Sequence, residues 1–247
     1  MKYYLTSILL VILVLGTYFL PIEGYRWIIW IVLMFIYIGL LIYGSINISS
    51  QFYVKTFCGN KHSAGCVAIT FDDGPEDINT LEILSLLKKY SAKANFFVIG
   101  EKCELYPEIF KQIDNEGHLI GNHSFSHHNN FPMLSVKHMY REIERTQNIA
   151  LKIINKELKY FRPPFGVTNP IIYKTLRKFN FTVIGWTIRT FDTMKTKEEV
   201  LMKIEDNVMS GDVILLHSTT KDIIWILEKT LKYLDKKKLK SVRIDEL

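Results

Sequence analysis

Cys66-Val67-Ala68-Ile69-Thr70-Phe71-Asp72-Asp73-Gly74-Pro75 is the stretch that decides the fold: an apolar run broken only by Thr70, then two adjacent carboxylates and a turn-forming Gly-Pro. A short apolar run bounded by turn residues reads as a buried strand. Adjacent carboxylates repel each other, and a cation beside them would relieve that repulsion. Taken alone, Asp-Asp-Gly-Pro is as well explained by an acidic turn before a helix. The motifs further along the chain change the balance.

From Cys66 onward, short apolar runs alternate with amphipathic stretches, the pattern of strands joined by helices. Strands are expected at Cys66–Phe71, Ala94–Ile99, Leu119–Asn122, Tyr160–Arg162, Thr182–Ile188 and Val213–His217. Helices are expected near Thr80–Tyr90, Tyr106–Glu116, Val136–Asn155, Pro170–Phe179, Lys197–Met209 and Asp222–Asp235. Several strands end at polar clusters that a plain core would not require. In parallel α/β architectures, ligands gather outside the carboxyl ends of strands.

After the third strand comes His123-Ser124-Phe125-Ser126-His127, two histidines four apart; a helical turn there would put both rings on one face. Two imidazoles and a carboxylate suit a borderline cation such as Zn²⁺ and leave a position for water. His118, His128 and His138 read as ordinary strand-end or surface residues. Arg162-Pro163-Pro164-Phe165-Gly166 sets an arginine before a stiffened loop in which Phe165 offers the first backbone N–H. That donor could stabilise an oxyanion, and the planar fork of Arg162 could pair with a carboxylate. Asp192 follows the fifth strand, and His217 ends the otherwise apolar sixth, where Asp192 could orient it as a general acid.

The residues before Cys66 differ in kind. Tyr3–Leu20 and Trp27–Gly44 each carry no charge and approach the roughly 20 residues needed to span a bilayer. Pro21, Glu23, Gly24 and Arg26 lie between them as turn and polar residues, and Tyr25, Trp27 and Trp30 suit an interfacial aromatic belt. The expectation is a transmembrane hairpin over 1–45, attaching the chain to the membrane through residues 3–44, then a linker over 46–65 and a catalytic domain over 66–247. No small-residue cleavage site supports a signal peptide. Lys2 against the lone Arg26, with Lys55 and Lys61 beyond the second span, tilts the charge count weakly toward a cytoplasmic main domain.

At 247 residues the chain has room for one catalytic domain beside this hairpin. The formal charge of +6 and the run Lys236-Lys237-Lys238 lack the interleaved aromatics of a nucleic-acid surface, so no nucleic acid is expected. Cys58, Cys66 and Cys103 fit no metal spacing; a Cys58–Cys66 bridge is open, with free thiols the default.

In order, Thr70–Pro75, His123–His127, Arg162–Gly166, Asp192 and Leu215-Leu216-His217 resemble the polysaccharide deacetylase, or NodB-homology, family of carbohydrate esterases, over roughly residues 66 to 245. The resemblance implies a distorted (β/α) barrel and hydrolytic removal of N-acetyl groups from N-acetylhexosamine residues of a polysaccharide such as peptidoglycan. It implies a divalent metal, zinc as a rule, held by Asp73, His123 and His127. Asp72 then resembles the general base, Arg162 the group that positions it, His217 the general acid tuned by Asp192, and the Phe165 amide the oxyanion donor. A glycan substrate implies an extracytoplasmic domain, against the charge count. Many members follow the later aspartate with tryptophan; here Thr193 stands in that place and Trp186 lies upstream, leaving the substrate wall open. Two other readings stand beside this one: a deacylase or deformylase of a lipid-linked amino sugar, and an inactive glycan-binding membrane protein.

Overall fold

The structure is a computed structural model and describes residues 2–247. Helices α1 (Lys2–Gly16) and α2 (Arg26–Ile46) form an antiparallel hairpin whose sides are almost wholly exposed. Polar contacts lock the pair: Trp30 Nε1 donates to Thr17 Oγ1 at 3.0 Å, and the Ser7 and Tyr37 hydroxyls lie 2.8 Å apart. With 21 residues, α2 is about 31 Å long, the thickness of a bilayer's hydrocarbon core.

The remainder is a curled, all-parallel sheet. β1 (Cys66–Gly74), β2 (Asn95–Val98), β3 (Leu119–Asn122), β4 (Tyr160–Phe161), β5 (Thr182–Val183), β6 (Ile188–Arg189) and β7 (Val213–His217) run in the order β5-β4-β3-β2-β1-β7-β6, and β8 (Lys240–Ser241) pairs with the start of β1. The connecting helices are α3 (Asp77–Lys89), α4 (Gly100–Leu105), α5 (Pro107–Asn115), α6 (Val136–Ile154), α7 (Pro170–Leu176), α8 (Lys197–Asn207) and α9 (Ile223–Lys236). The distorted (β/α) barrel is as expected. An outer core of Ile69, Phe71, Leu84, Phe96, Phe110 and Leu227 joins sheet to helices, while Ala68, Phe97, Ile184, Trp186 and Leu215 fill the inside.

Three local expectations change. β1 does not stop at Phe71 but carries Asp72, Asp73 and Gly74 within the strand, with a register shift between Asp72 and Gly74. The single strand expected over Thr182–Ile188 is two short strands at opposite edges of the sheet, because the Ile184 and Gly185 carbonyls accept from Arg162 instead of from a neighbouring strand. The His123–His127 turn is not helical: Ser124 and His127 take positive φ (68° and 49°).

The stretch 46–65, read as a linker, is packed. Ile48, Phe52, Tyr53, Val54 and Thr56 are buried, Phe57 pairs with Ile184 in parallel, and Asn60 N–H donates to Gly211 O at 2.8 Å. This segment occupies the seam between β5 and β6. All three cysteines are free thiols.

Candidate active site

The sheet register brings the sequence clusters together. Asp72 on β1 lies opposite Phe97 on β2 and His217 on β7, while Asn122, at the end of β3, lies opposite Phe161 at the end of β4. Asp72, Asp73, His123, Phe165, Trp186 and His217 line one pocket of about 230 Å³ at the carboxyl rim.

Asp73 Oδ1 lies 3.5 Å from Nε2 of both His123 and His127. It is buried and has no hydrogen-bond partner among the described residues. A buried carboxylate oxygen without a donor costs free energy unless something else satisfies it. The three ligand atoms lie within 4.8 Å of one another, and a divalent cation fits among them. His123 Nδ1–H donates to Arg162 O at 2.7 Å, a tautomer that leaves Nε2 free to ligate. Burial, and next the neighbouring His127, push the His123 pKa down to about 3, so the ring is neutral, as a ligand must be. The turn itself is held from outside: Ser126 N–H and Oγ–H donate to Glu142 Oε2, and Ser124 N–H donates to Asn122 Oδ1.

Asp72 differs from its neighbour by having a partner. Arg162, fully buried, donates from Nη1 to Asp72 Oδ1 at 2.6 Å and to Thr70 Oγ1 at 2.8 Å; Nη2 and Nε reach the Gly185 and Ile184 carbonyls. Phe97 stacks beneath the guanidinium, 4.1 Å from its ring centroid. The bond is charge-assisted, and it fixes the orientation of the carboxylate. Asp72 Oδ2 faces His123 Nε2 at 3.7 Å, so the carboxylate borders the cluster without having its fork partner there.

Opposite, His217 Nδ1–H donates to Asp192 Oδ1 at 2.8 Å, and the His217 backbone N–H and the Thr220 hydroxyl donate to Oδ2. Burial pulls the imidazolium pKa down. The Asp192 hydrogen bond and charge outweigh it, aided by Asp72 and Asp73, and raise the pKa to about 8. The Phe165 N–H finds no acceptor among the described residues, and its backbone takes the left-handed φ of 62°.

All eight residues singled out in the sequence therefore converge. Trp186 stands out in the sequence only as a residue out of place. Its ring lies over Gly166, where a Cβ would come within 2.1 Å of it, and it forms the pocket wall beside Thr193. The sequence reading misses Thr70 as an Arg162 acceptor, although its position two before Asp72 on one strand puts both on the same face. Of the bystander histidines, His118 is buried and accepts from Ala94 N–H, with burial lowering its pKa to about 4, and His138 bonds Ser135 at the start of α6.

Fold and site define a parallel (β/α)-barrel protein with an Asp-His-His cluster at its carboxyl rim. The chain belongs to the polysaccharide deacetylase family, whose model matches residues 59–184, just over half of its length. It is similar to a peptidoglycan-N-acetylglucosamine deacetylase of Bacillus cereus, 36% identical over 168 residues; the match covers 68% of this chain and 60% of that relative. A solved peptidoglycan N-acetylglucosamine deacetylase superposes with a TM-score of 0.72 at 32% identity, covering 76% of this chain and 90% of that one. A mutant of a family 4 pseudoenzyme with restored activity matches with a TM-score of 0.72 at 25% identity, over 78% of this chain and 71% of the other.

Proposed function

We propose that this protein is a membrane-anchored, metal-dependent N-deacetylase acting on N-acetylhexosamine residues of an envelope glycan such as peptidoglycan, with its barrel outside the cytoplasm. The orphaned Asp73 Oδ1 between two imidazole nitrogens, with Asp72 held by Arg162 beside it, carries the reading. Asp73, His123 and His127 would hold a divalent cation, zinc by the match of ligand type, which would supply Lewis-acid polarisation of the acetyl carbonyl and acidify the attacking water.

The chain's own groups do the rest. Asp72, held by Arg162, takes the proton from the attacking water. The Phe165 N–H donates to the carbonyl oxygen as negative charge gathers on it. His217, oriented by Asp192, gives its proton to the departing nitrogen, so the C–N bond breaks to a neutral amine and acetate. The wall of Trp186 and Phe165 offers an apolar face for a sugar ring.

The convergence of Asp72, Asp73, His123, His127, Arg162, Asp192 and His217 at one rim supports this reading over the inactive-protein one. The zinc-loaded 247-residue chain should release acetate from N-acetylglucosamine oligomers. Full metal binding with no acetate from a panel of N-acetylated glycans would overturn the proposal. An enzymatic reporter fused to the carboxyl terminus and active only outside the cytoplasm is expected; the opposite result would move the barrel inside.

A further inference from the structure

The anchor does not hang from the barrel on slack chain. It is hydrogen-bonded to the rim that carries the pocket. At the end of α2, Gly44 O and Ser45 O accept from the Thr168 hydroxyl and Thr168 N–H at 3.1 and 3.0 Å. Thr168 lies in the β4–α7 loop, three residues after Phe165, so the chain from α2 to the pocket wall is at most about 11 Å long. Ser49 Oγ–H donates to Trp186 O at 3.0 Å, tying the tryptophan of that wall to the same segment. Gly44 packs so closely on Phe52 that a Cβ there would come within 2.3 Å of the ring, and the Tyr53 hydroxyl bonds Leu41 O.

If the hairpin spans the bilayer, it also sets where the bilayer ends. The length of α2 matches the hydrocarbon core, with tyrosines at the barrel-side end (Tyr3, Tyr4 and Tyr43) and Tyr18, Tyr25 and Trp27 at the far end. On that reading Thr168 meets the hairpin at the membrane boundary. At the mouth of the pocket, Phe165, Phe191 and Met194 are 40%, 39% and 84% exposed, an apolar rim of which Phe165 lies three residues from the Thr168 contact.

We infer that the substrate is an N-acylated amino-sugar glycan still tethered to the bilayer, its reacting residue within one or two sugar units of the lipid attachment. This rests on the deacetylase reading and narrows it. A rigid mount at the surface raises the local concentration of tethered substrate and withholds the site from glycan held far away, whereas a flexible linker would give reach in both directions.

The test uses the full chain, zinc-loaded, in phospholipid vesicles. Three substrates share one N-acetylglucosamine disaccharide: joined directly to a membrane lipid, joined to it through a polyproline spacer of about 60 Å, and free. The directly joined substrate should lose acetate roughly tenfold or more faster than the spaced one, although both are concentrated on the vesicle. A flexible Gly-Ser insert of roughly 15 residues between Ile46 and Asn47, with a mean reach of about 20 Å, combined with Gly44→Leu to drive the end of α2 off Phe52, should erase that preference while the free disaccharide is turned over as before. Equal rates on the two tethered substrates, or a preference that survives the insert, would overturn the inference and leave the deacetylase reading standing if acetate is released. Failure on all three with metal bound would remove that reading, and this inference with it.

Discussion

Arg162 is fully buried, and its fork serves four acceptors at once: Asp72, Thr70, Gly185 and Ile184. A lysine has three donors on one nitrogen and cannot span them. Arg162→Lys should thus cost about 3–5 kcal/mol in chemical denaturation, the penalty for stranding a buried carboxylate, and lower turnover with it. Wild-type stability would show that Asp72 does not depend on the fork. His217 gives a pH test. Its proton is present below its pKa of about 8 and lost above it, so turnover should fall as pH rises through that value. Asp192→Asn removes the hydrogen bond and charge that do most to hold the pKa up, and the alkaline limb should move to lower pH; an unmoved limb would mean that another group is the acid. Most of these residues are legible in the sequence through their chemistry. Paired acids, paired histidines and a lone histidine after an apolar strand are unusual where they stand. The place of Trp186 is not legible, because a tryptophan carries no sign of which wall it covers.

Elements are legible where pattern and length agree. β3 falls on Leu119–Asn122 and β7 on Val213–His217 as expected. Thr182–Ile188 misleads, since nothing in a largely apolar run shows that the Ile184 and Gly185 carbonyls bond a buried arginine on another strand's end. The His123–His127 turn shows the converse: the spacing brings both rings to Asp73 Oδ1 and the helix is wrong, because Ser124 and His127 adopt left-handed backbone instead. Such conformations cost about 1–3 kcal/mol each for a residue with a Cβ, and they gather here at Asp73, Ser124, His127 and Phe165. Packing around the β4–α7 loop is equally tight. Gly166 has φ 67° and lies under Trp186, so Gly166→Ala should destabilise by roughly 1–3 kcal/mol and raise KM by shifting the wall. An unchanged denaturation midpoint with unchanged KM would contradict the close approach.

At the scale of the whole molecule, the sequence divides the chain into hairpin, linker and barrel, and the packing of residues 46–65 joins them. Apolar residues in a short connection look like linker when read alone; only the open seam between β5 and β6 reveals what they cover. Ile48 fills that seam against Ile184 and Trp186, and Ile48→Ala should cost about 2–5 kcal/mol, measured on the full chain, by leaving a cavity beneath the pocket. In the proposed reaction two adjacent aspartates divide the labour, one holding a cation and the other moving a proton. The most direct test is to measure bound zinc and released acetate together in Asp72→Asn and Asp73→Ala. Asp72→Asn should keep one zinc per chain and lose turnover by roughly 10²–10⁴-fold, and Asp73→Ala should lose both. Loss of zinc in Asp72→Asn with retention in Asp73→Ala would contradict that division.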